Sequence, residues 1–386
     1  MGIWKNVYRY FLSTDKLYWL LMLLISAYGL LILKTIPTPP DNSRSYFTTQ
    51  FIAMVIGYSG AIFITFLDYK EISNYWYVVA GFCFFLLIFT LKFGKPVTGA
   101  DGVNARAWIS VPVIGTFQPS ELTKIGFLIS FSKHLNELKI RGKLSSFLHV
   151  ILLALHALIP IALVHLQGDD GAAIIFFCMF LFMAFGAGIP LRYFFGLALS
   201  LFILVPVAWK YIMSDYQKSR ILITYNLDSD PLHYGYQQIQ ARTSIGSGGL
   251  WGRGLFQSPR VNNCLVSVQQ SDFIFSAIGE QLGLIGCLSA VLLLFLFLLH
   301  TLRIAKNTKD LLGSSICIGF FGMITSQMLF NLGMCLDLLP VMGITLPFFS
   351  AGGSSAACLY FGFGLVLSVY MHHDRFDYGG LALNTK

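Results

Sequence analysis

Phe147-Leu-His-Val-Ile-Leu-Leu-Ala-Leu-His-Ala-Leu-Ile-Pro-Ile-Ala-Leu-Val-His-Leu166 runs for twenty residues without an Asp, Glu, Lys or Arg. At about 1.5 Å per residue, a helix of that length is about 30 Å long, the thickness of a bilayer's hydrocarbon core. A membrane strand would alternate apolar and polar side chains, and this stretch does not. It reads as a transmembrane helix, and the rest of the chain repeats it. Comparable runs lie near 17–35, 48–67, 74–93, 119–135, 172–189, 191–213, 271–300, 311–335 and 343–371, making ten in all.

Composition points the same way. Of 386 residues 56% are hydrophobic and 11% charged, too few charges to coat a soluble globule. The expectation is an all-α polytopic membrane protein of about ten transmembrane helices, with residues 1–386 forming one domain. The run at 119–135 carries Glu121 and Lys124 in its first turns, and Gly188-Ile189-Pro190 cuts the stretch 172–213 at a short turn. The first run is long enough to span and no small-residue cleavage site follows it, so it should remain as a first helix.

The formal charge is +8, but the 26 Lys and Arg are scattered among the links, which argues against nucleic-acid binding. Cys83, Cys178, Cys287, Cys317 and Cys358 sit inside apolar runs, and none of the seven cysteines has metal or redox spacing. The eight histidines, with His372-His373 near the C-terminus, show no paired metal spacing either. An even number of spans puts both termini on one side. Lys5, Arg9, Lys16, Lys133, Lys139, Arg141, Lys143, Arg303, Lys306, Lys309, Arg375 and Lys386 all fall there, which assigns that side to the cytoplasm. The links after the fifth and ninth spans carry Asp169, Asp170 and Asp337 and no Lys or Arg, although Lys92, Lys95 and Arg106 run against the trend. Two long extracytoplasmic loops follow, 94–118 and 214–270, too long to be plain connectors.

Ionisable groups at membrane depth cost roughly 2.5–3.5 kcal/mol each at a helix centre, so their presence hints at function. Asp272 opens the eighth span, and Glu280 lies about 12 Å further along the same general side if the helix is regular. Glu121 and Lys124 are spaced to pair on one helix face. Asp169 and Asp170 begin the sixth span, and Arg220, Arg242, Arg253 and Arg260 populate the large loop. Each has a plainer reading. Asp272 and Asp169 suit helix N-termini as caps or first-turn acids, and Glu121 with Lys124 suits a structural ion pair. The run Gly246 to Gly254 lacks the Lys-Ser or Lys-Thr ending of a nucleotide loop, so its glycines read as turn formers.

Several separate segments together resemble the SEDS family (shape, elongation, division and sporulation), and the resemblance covers nearly the whole chain. They are Phe117-Gln-Pro-Ser-Glu-Leu-Thr-Lys124, Gly235-Tyr-Gln-Gln-Ile-Gln240, Ile245-Gly-Ser-Gly-Gly-Leu-Trp-Gly-Arg-Gly254, Ser271-Asp-Phe-Ile-Phe275 with Gly279-Glu-Gln-Leu-Gly283, and Leu339-Pro-Val-Met-Gly-Ile-Thr-Leu-Pro-Phe348 with Ser350-Ala-Gly-Gly-Ser-Ser355. Asp68-Tyr69 and the Gly-rich segment look more like the rod-shape RodA branch than the division FtsW branch.

The resemblance implies a ten-helix protein of the bacterial inner membrane with both termini cytoplasmic. It implies polymerisation of lipid II into glycan strands, an essential outward-facing aspartate at Asp272, and important roles for Glu121, Lys124 and the polar residues of the large loop; Arg106, Trp108, Arg220, Gln240, Arg242 and Ser350 complete the candidate substrate contacts. It also implies a class B penicillin-binding transpeptidase and elongation-complex proteins as partners. The chain departs from the family in places. Gln270 and Val268 stand where His and Glu are usual before the aspartate. Ala107-Trp108 replaces an Arg-Trp pair, with the arginine displaced to Arg106. Thr49-Gln50 replaces Arg-Gln, and Ala351 replaces a Tyr.

The donor sugar already carries a diphosphate leaving group, so one base suffices. Asp272 either takes the proton from the acceptor 4-hydroxyl or holds a divalent cation, Mg²⁺ or Mn²⁺, that promotes its loss. Lys124, Arg106, Arg220 and Arg242 are the candidate phosphate contacts. Two other readings stand beside this one: a flippase or transporter, with acids near mid-bilayer, and a non-catalytic scaffold for a transpeptidase.

Overall fold

The computed structural model describes residues 13–39, 44–98, 104–111, 115–211, 213–225 and 235–372. Lys5, Arg9, His373, Arg375 and Lys386, and parts of both long loops, lie outside the described residues. Among the described residues, ten helices of seventeen residues or more occupy the ten expected stretches. They are α1 (Lys16–Thr35), α2 (Tyr46–Phe66), α4 (Trp76–Phe93), α5 (Pro119–Ile140), α6 (Phe147–Leu166), α7 (Asp170–Gly186), α8 (Leu191–Tyr211), α12 (Ile274–Asn307), α13 (Leu311–Cys335) and α14 (Gly353–His372). Short helices α3 (Tyr69–Asn74), α9 (Asp215–Tyr225), α10 (Tyr236–Gly248) and α11 (Pro259–Asn262) fill the connections. Eight of the long helices are apolar enough over their length to cross a bilayer; α7 is a shorter apolar helix, and α5 is the one with a buried ion pair. The chain is a multi-pass membrane protein.

Two helices form the centre. α13 and α14 are enclosed over most of their length, whereas α4 and α6 turn mainly apolar, exposed surfaces outward, as lipid-facing helices do. α2 lies against α14 through small residues: Gly57, Gly60 and Ala61 face Tyr360, Phe361 and Gly364. α8 is the exception, with no buried residue along it. Its first turns are fastened by Arg192 and Tyr193, which both donate to the Ser145 carbonyl.

Because the long helices alternate in direction, one end of the bundle collects the starts of α5, α7 and α12 and the ends of α4, α6 and α13. Both long loops lie at this end. The first contains a three-stranded antiparallel sheet, β1 (Lys95–Thr98), β2 (Asn104–Val111) and β3 (Gly115–Phe117), in that order. The Arg106 amide ties it to the Gln167 carbonyl after α6. The second loop contains α9, α10 and α11.

Two spans differ from their expected form. The run expected at 343–371 becomes helical only at Gly353. Residues 336–352 pass through the bundle end as irregular chain, with Ile344, Leu346, Phe348 and Phe349 buried. The run at 271–300 is helical but interrupted at Gly283, where φ is +65°. Irregular backbone survives at such depth only where protein satisfies its polar groups. The segment Gly248 to Gly254 does this for the break. Arg253 N–H donates to Glu280 O, Gly254 N–H to Gln281 O, and Leu284 N–H to Gly249 O.

Candidate active site

Asp272 sits in the turn just before α12, half-buried. It does not cap the helix: Phe273 holds the N-cap position, and no side chain caps α12. The turn is fastened through its backbone. Asn331 of α13, fully buried, donates through Nδ2 to the Asp272 carbonyl at 2.7 Å. Ser350 Oγ donates to the Ser271 carbonyl at 2.5 Å, and the Ala351 N–H to the Gln270 carbonyl at 2.7 Å. The Asp272 carboxyl is pushed up to about 6, first because burial penalises its charge. A hydrogen bond from Ser271 and the charge of Arg220 oppose that shift, and the charge of Asp169 adds to it.

Asp169 links Asp272 to the α5 pair. Its Oδ1 accepts from the Ala172 N–H at 3.0 Å and so caps α7. Its Oδ2 accepts from Gln118 Nε2 at 2.7 Å and from Ser120 Oγ at 3.4 Å. Burial raises the Asp169 carboxyl, the Ala172 N–H lowers it, and the charges of Glu121 and Lys124 then act in opposite senses. Lys124 Nζ donates to Glu121 Oε1 at 2.8 Å, and both residues are buried. Capping and ion pairing, the plainer readings of Asp169 and of Glu121 with Lys124, are thus both present. Neither removes these groups from the site, because their charges reach one another in sequence from α5 through Asp169 to Asp272 and Arg220.

The other residues singled out from sequence are dispersed. Arg106 is exposed on β2, with Trp108 half-buried on the same strand. Gln240 Oε1 accepts from Arg260, which also donates through Nε to Ser244 Oγ at 2.9 Å. Arg242 pairs with Asp337 at 3.2 Å, and Gln217 Nε2 donates to Asp170 Oδ2 at 2.8 Å, both tying the large loop to the bundle. Burial raises the Asp337 carboxyl and Arg242 lowers it. Ser350 contacts the Asp272 turn directly, as above. Glu280 is fully buried and turned to structural use, accepting from the Arg260 and Val261 amides at 2.9 and 3.1 Å. Sequence reasoning missed Asn331. The available signal was an amide side chain within the ninth span, one of two there beside Gln327, and spacing alone does not distinguish them.

Among the described residues no three His, Cys, Asp or Glu side chains converge as a metal cage. Asp272 offers one carboxylate, and an ion there would need oxygens from substrate and water to complete its shell. With a half-buried acid of raised proton affinity, a buried lysine and a half-buried arginine, the arrangement suits proton removal from a hydroxyl beside an anionic substrate.

A family model described as a cell cycle protein, covering FtsW, RodA and SpoVE, matches residues 15–375. Among curated relatives, peptidoglycan glycosyltransferase MrdB of Escherichia coli (strain K12) is 32% identical over 305 residues, 79% of each chain. Stage V sporulation protein E of Bacillus subtilis (strain 168) is 33% identical over 330 residues, 85% of this chain and 88% of the relative. Among solved structures, a chain of a peptidoglycan synthase complex that coordinates polymerization and crosslinking aligns with TM-score 0.79 at 29% identity, covering 94% of this chain and 99% of that one. The rod-shape-determining protein RodA of Thermus thermophilus aligns with TM-score 0.69 at 28% identity, covering 94% and 98%.

Proposed function

The chain belongs to the FtsW, RodA and SpoVE family of cell cycle proteins, and from that membership we propose that it is a peptidoglycan glycosyltransferase with Asp272 as its general base. The observation that carries the assignment of the base is the Asp272 carboxyl itself, half-buried at the loop-bearing end of the bundle with its proton affinity raised. Lipid II and the growing glycan strand, each linked through a diphosphate to a polyprenyl chain, are the reaction partners. The acceptor 4-hydroxyl gives its proton to Asp272 as its oxygen attacks C1 of the donor sugar with inversion. The C1–O bond to the diphosphate breaks, and the polyprenyl diphosphate leaves with the electron pair. Base assistance of this kind is worth typically 10² to 10⁴ in rate.

Cations stabilise the charge gathering on the diphosphate. Arg220, whose charge already reaches Asp272, and Lys124 stand nearest this role. Arg106, exposed on β2, and Arg242, exposed and paired with Asp337, are the candidate contacts for the strand further out. A divalent cation, Mg²⁺ or Mn²⁺, would be held by Asp272 and would supply positive charge beside the substrate's phosphates.

The basic links around Lys139, Arg141, Lys143, Arg303 and Lys306 lie at the end of the bundle opposite Asp272, which supports a bacterial inner-membrane orientation with both termini cytoplasmic. The likeness to a chain from a peptidoglycan synthase complex supports a class B transpeptidase partner within an elongation assembly. A flippase would need its acids near mid-bilayer; here they gather at one end.

The test is incubation of purified protein with lipid II, resolving products on a gel. Wild type should give glycan ladders and Asp272→Asn none, while remaining folded and membrane-inserted. Polymer from Asp272→Asn at the wild-type rate would overturn the assignment of the base.

A further inference from the structure

Three successive carbonyls, Gln270, Ser271 and Asp272, are each held by a donor from α13 or from the chain that follows it: the Ala351 amide, Ser350 Oγ and Asn331 Nδ2. Asn331 does more than its share. Its two amide hydrogens serve two carbonyls, Asp272 O and Ile344 O, both at 2.7 Å. An amide turned the other way would set its own carbonyl against both, so the donor orientation is fixed by its surroundings. Ser350 repeats the design, because its Oγ also accepts from the Leu346 N–H at 2.9 Å. Both side chains join the Asp272 turn to the irregular segment 336–352. These bonds converge on the turn that carries Asp272.

We propose that Asn331 is a positioning residue that, with Ser350 and the Ala351 amide, clamps this row of carbonyls and thereby aims the Asp272 carboxyl at the acceptor hydroxyl. The inference rests on Asp272 being the base. Asn331 does not reach substrate; it fixes the direction of the Cα–Cβ bond from which the carboxyl projects, and a misplacement near 1 Å at a reacting group is worth about 10²-fold in rate.

The experiment compares Asn331→Leu, close in volume but without donors, and Ser350→Ala, which removes one hydroxyl, with wild type and Asp272→Asn in lipid II polymerisation across pH. The expected result for each of the first two is kcat lower by about 10- to 100-fold with KM within about twofold of wild type. Their acid limb should move down from that of wild type, as a loosened carboxyl finds water. Should Asn331→Leu fail to insert, Ser350→Ala decides by the same criteria. Wild-type kcat with an unmoved limb overturns the clamp, and so does a loss of rate that tracks loss of folded protein with the limb unmoved. Active Asp272→Asn instead overturns the base, so the two failures are told apart.

Discussion

Gly283 and Gly252 meet backbone to backbone: a Cβ on Gly283 would lie 2.4 Å from the Gly252 amide nitrogen, and one on Gly252 would lie 2.2 Å from the Gln281 carbonyl oxygen. Both have positive φ, +65° and +81°. Space and conformation therefore exclude a side chain at either position for separate reasons.

Gly252→Ala and Gly283→Ala should each lower stability by at least about 1–3 kcal/mol, the strain of an unfavourable φ alone, with the clash added. Gly246→Ala is the control. Nothing lies within 4 Å of a Cβ built there, and the residue is in α10, so stability should hold or rise. Thermal unfolding of the detergent-solubilised variants checks this, and equal stability of all three would refute the close approach.

The pH profile carries a sign that the Asp272 environment dictates. Its carboxyl is raised to about 6 from an ordinary value near 4, so it is a base only above about pH 6. The free-enzyme rate constant kcat/KM should fall about tenfold per unit as pH drops below that point. Stability moves the opposite way. A raised acid binds its proton more tightly in the folded state, so stability contributed by the protonated form is lost as pH rises from about 4 to about 6. Asp272→Asn, a neutral mimic, should therefore unfold at a higher temperature than wild type at pH 7, with the gap closing near pH 4. A wild type more stable than the variant at pH 7 would contradict the burial of this carboxyl.

Lys124 and Glu121 offer a test that separates structure from chemistry. Lys124→Ala leaves the buried Glu121 carboxylate unpaired, and breaking such a pair typically destabilises by about 3–5 kcal/mol. The double variant Glu121→Gln with Lys124→Met should recover most of that stability. If Lys124 also meets the diphosphate, the recovered protein should still polymerise poorly at low substrate. Full activity in the stable double variant would leave Lys124 a structural residue.

The ten helices are legible in the sequence because hydropathy over about twenty residues measures the property the bilayer selects. Asp272 is legible because a charge at the edge of an apolar run is costly and conspicuous. What escapes is whatever depends on a distant partner. The break at Gly283 lies inside a stretch that hydropathy reads as one continuous span, and residues 248–254 bond to it from elsewhere in the chain. The stretch 343–352 reads as membrane span because it is apolar, yet its burial comes from protein rather than lipid, through residues such as Leu346 and Phe349. Spacing puts Glu280 on the same general side as Asp272, but its carboxylate accepts from two amides of α11. Asn331 adds one uncharged polar side chain to a long window, too small a perturbation to register.

The glycine-rich strap also has an order in time. It precedes in the chain the helix it completes, so the groups that bond Glu280, Gln281 and Leu284 are already synthesised when the interrupted helix leaves the ribosome. A permuted gene that placed residues 248–254 after 274–307 would reverse that sequence, sending a broken helix into the bilayer with its carbonyls and amides unmet until its mate arrived.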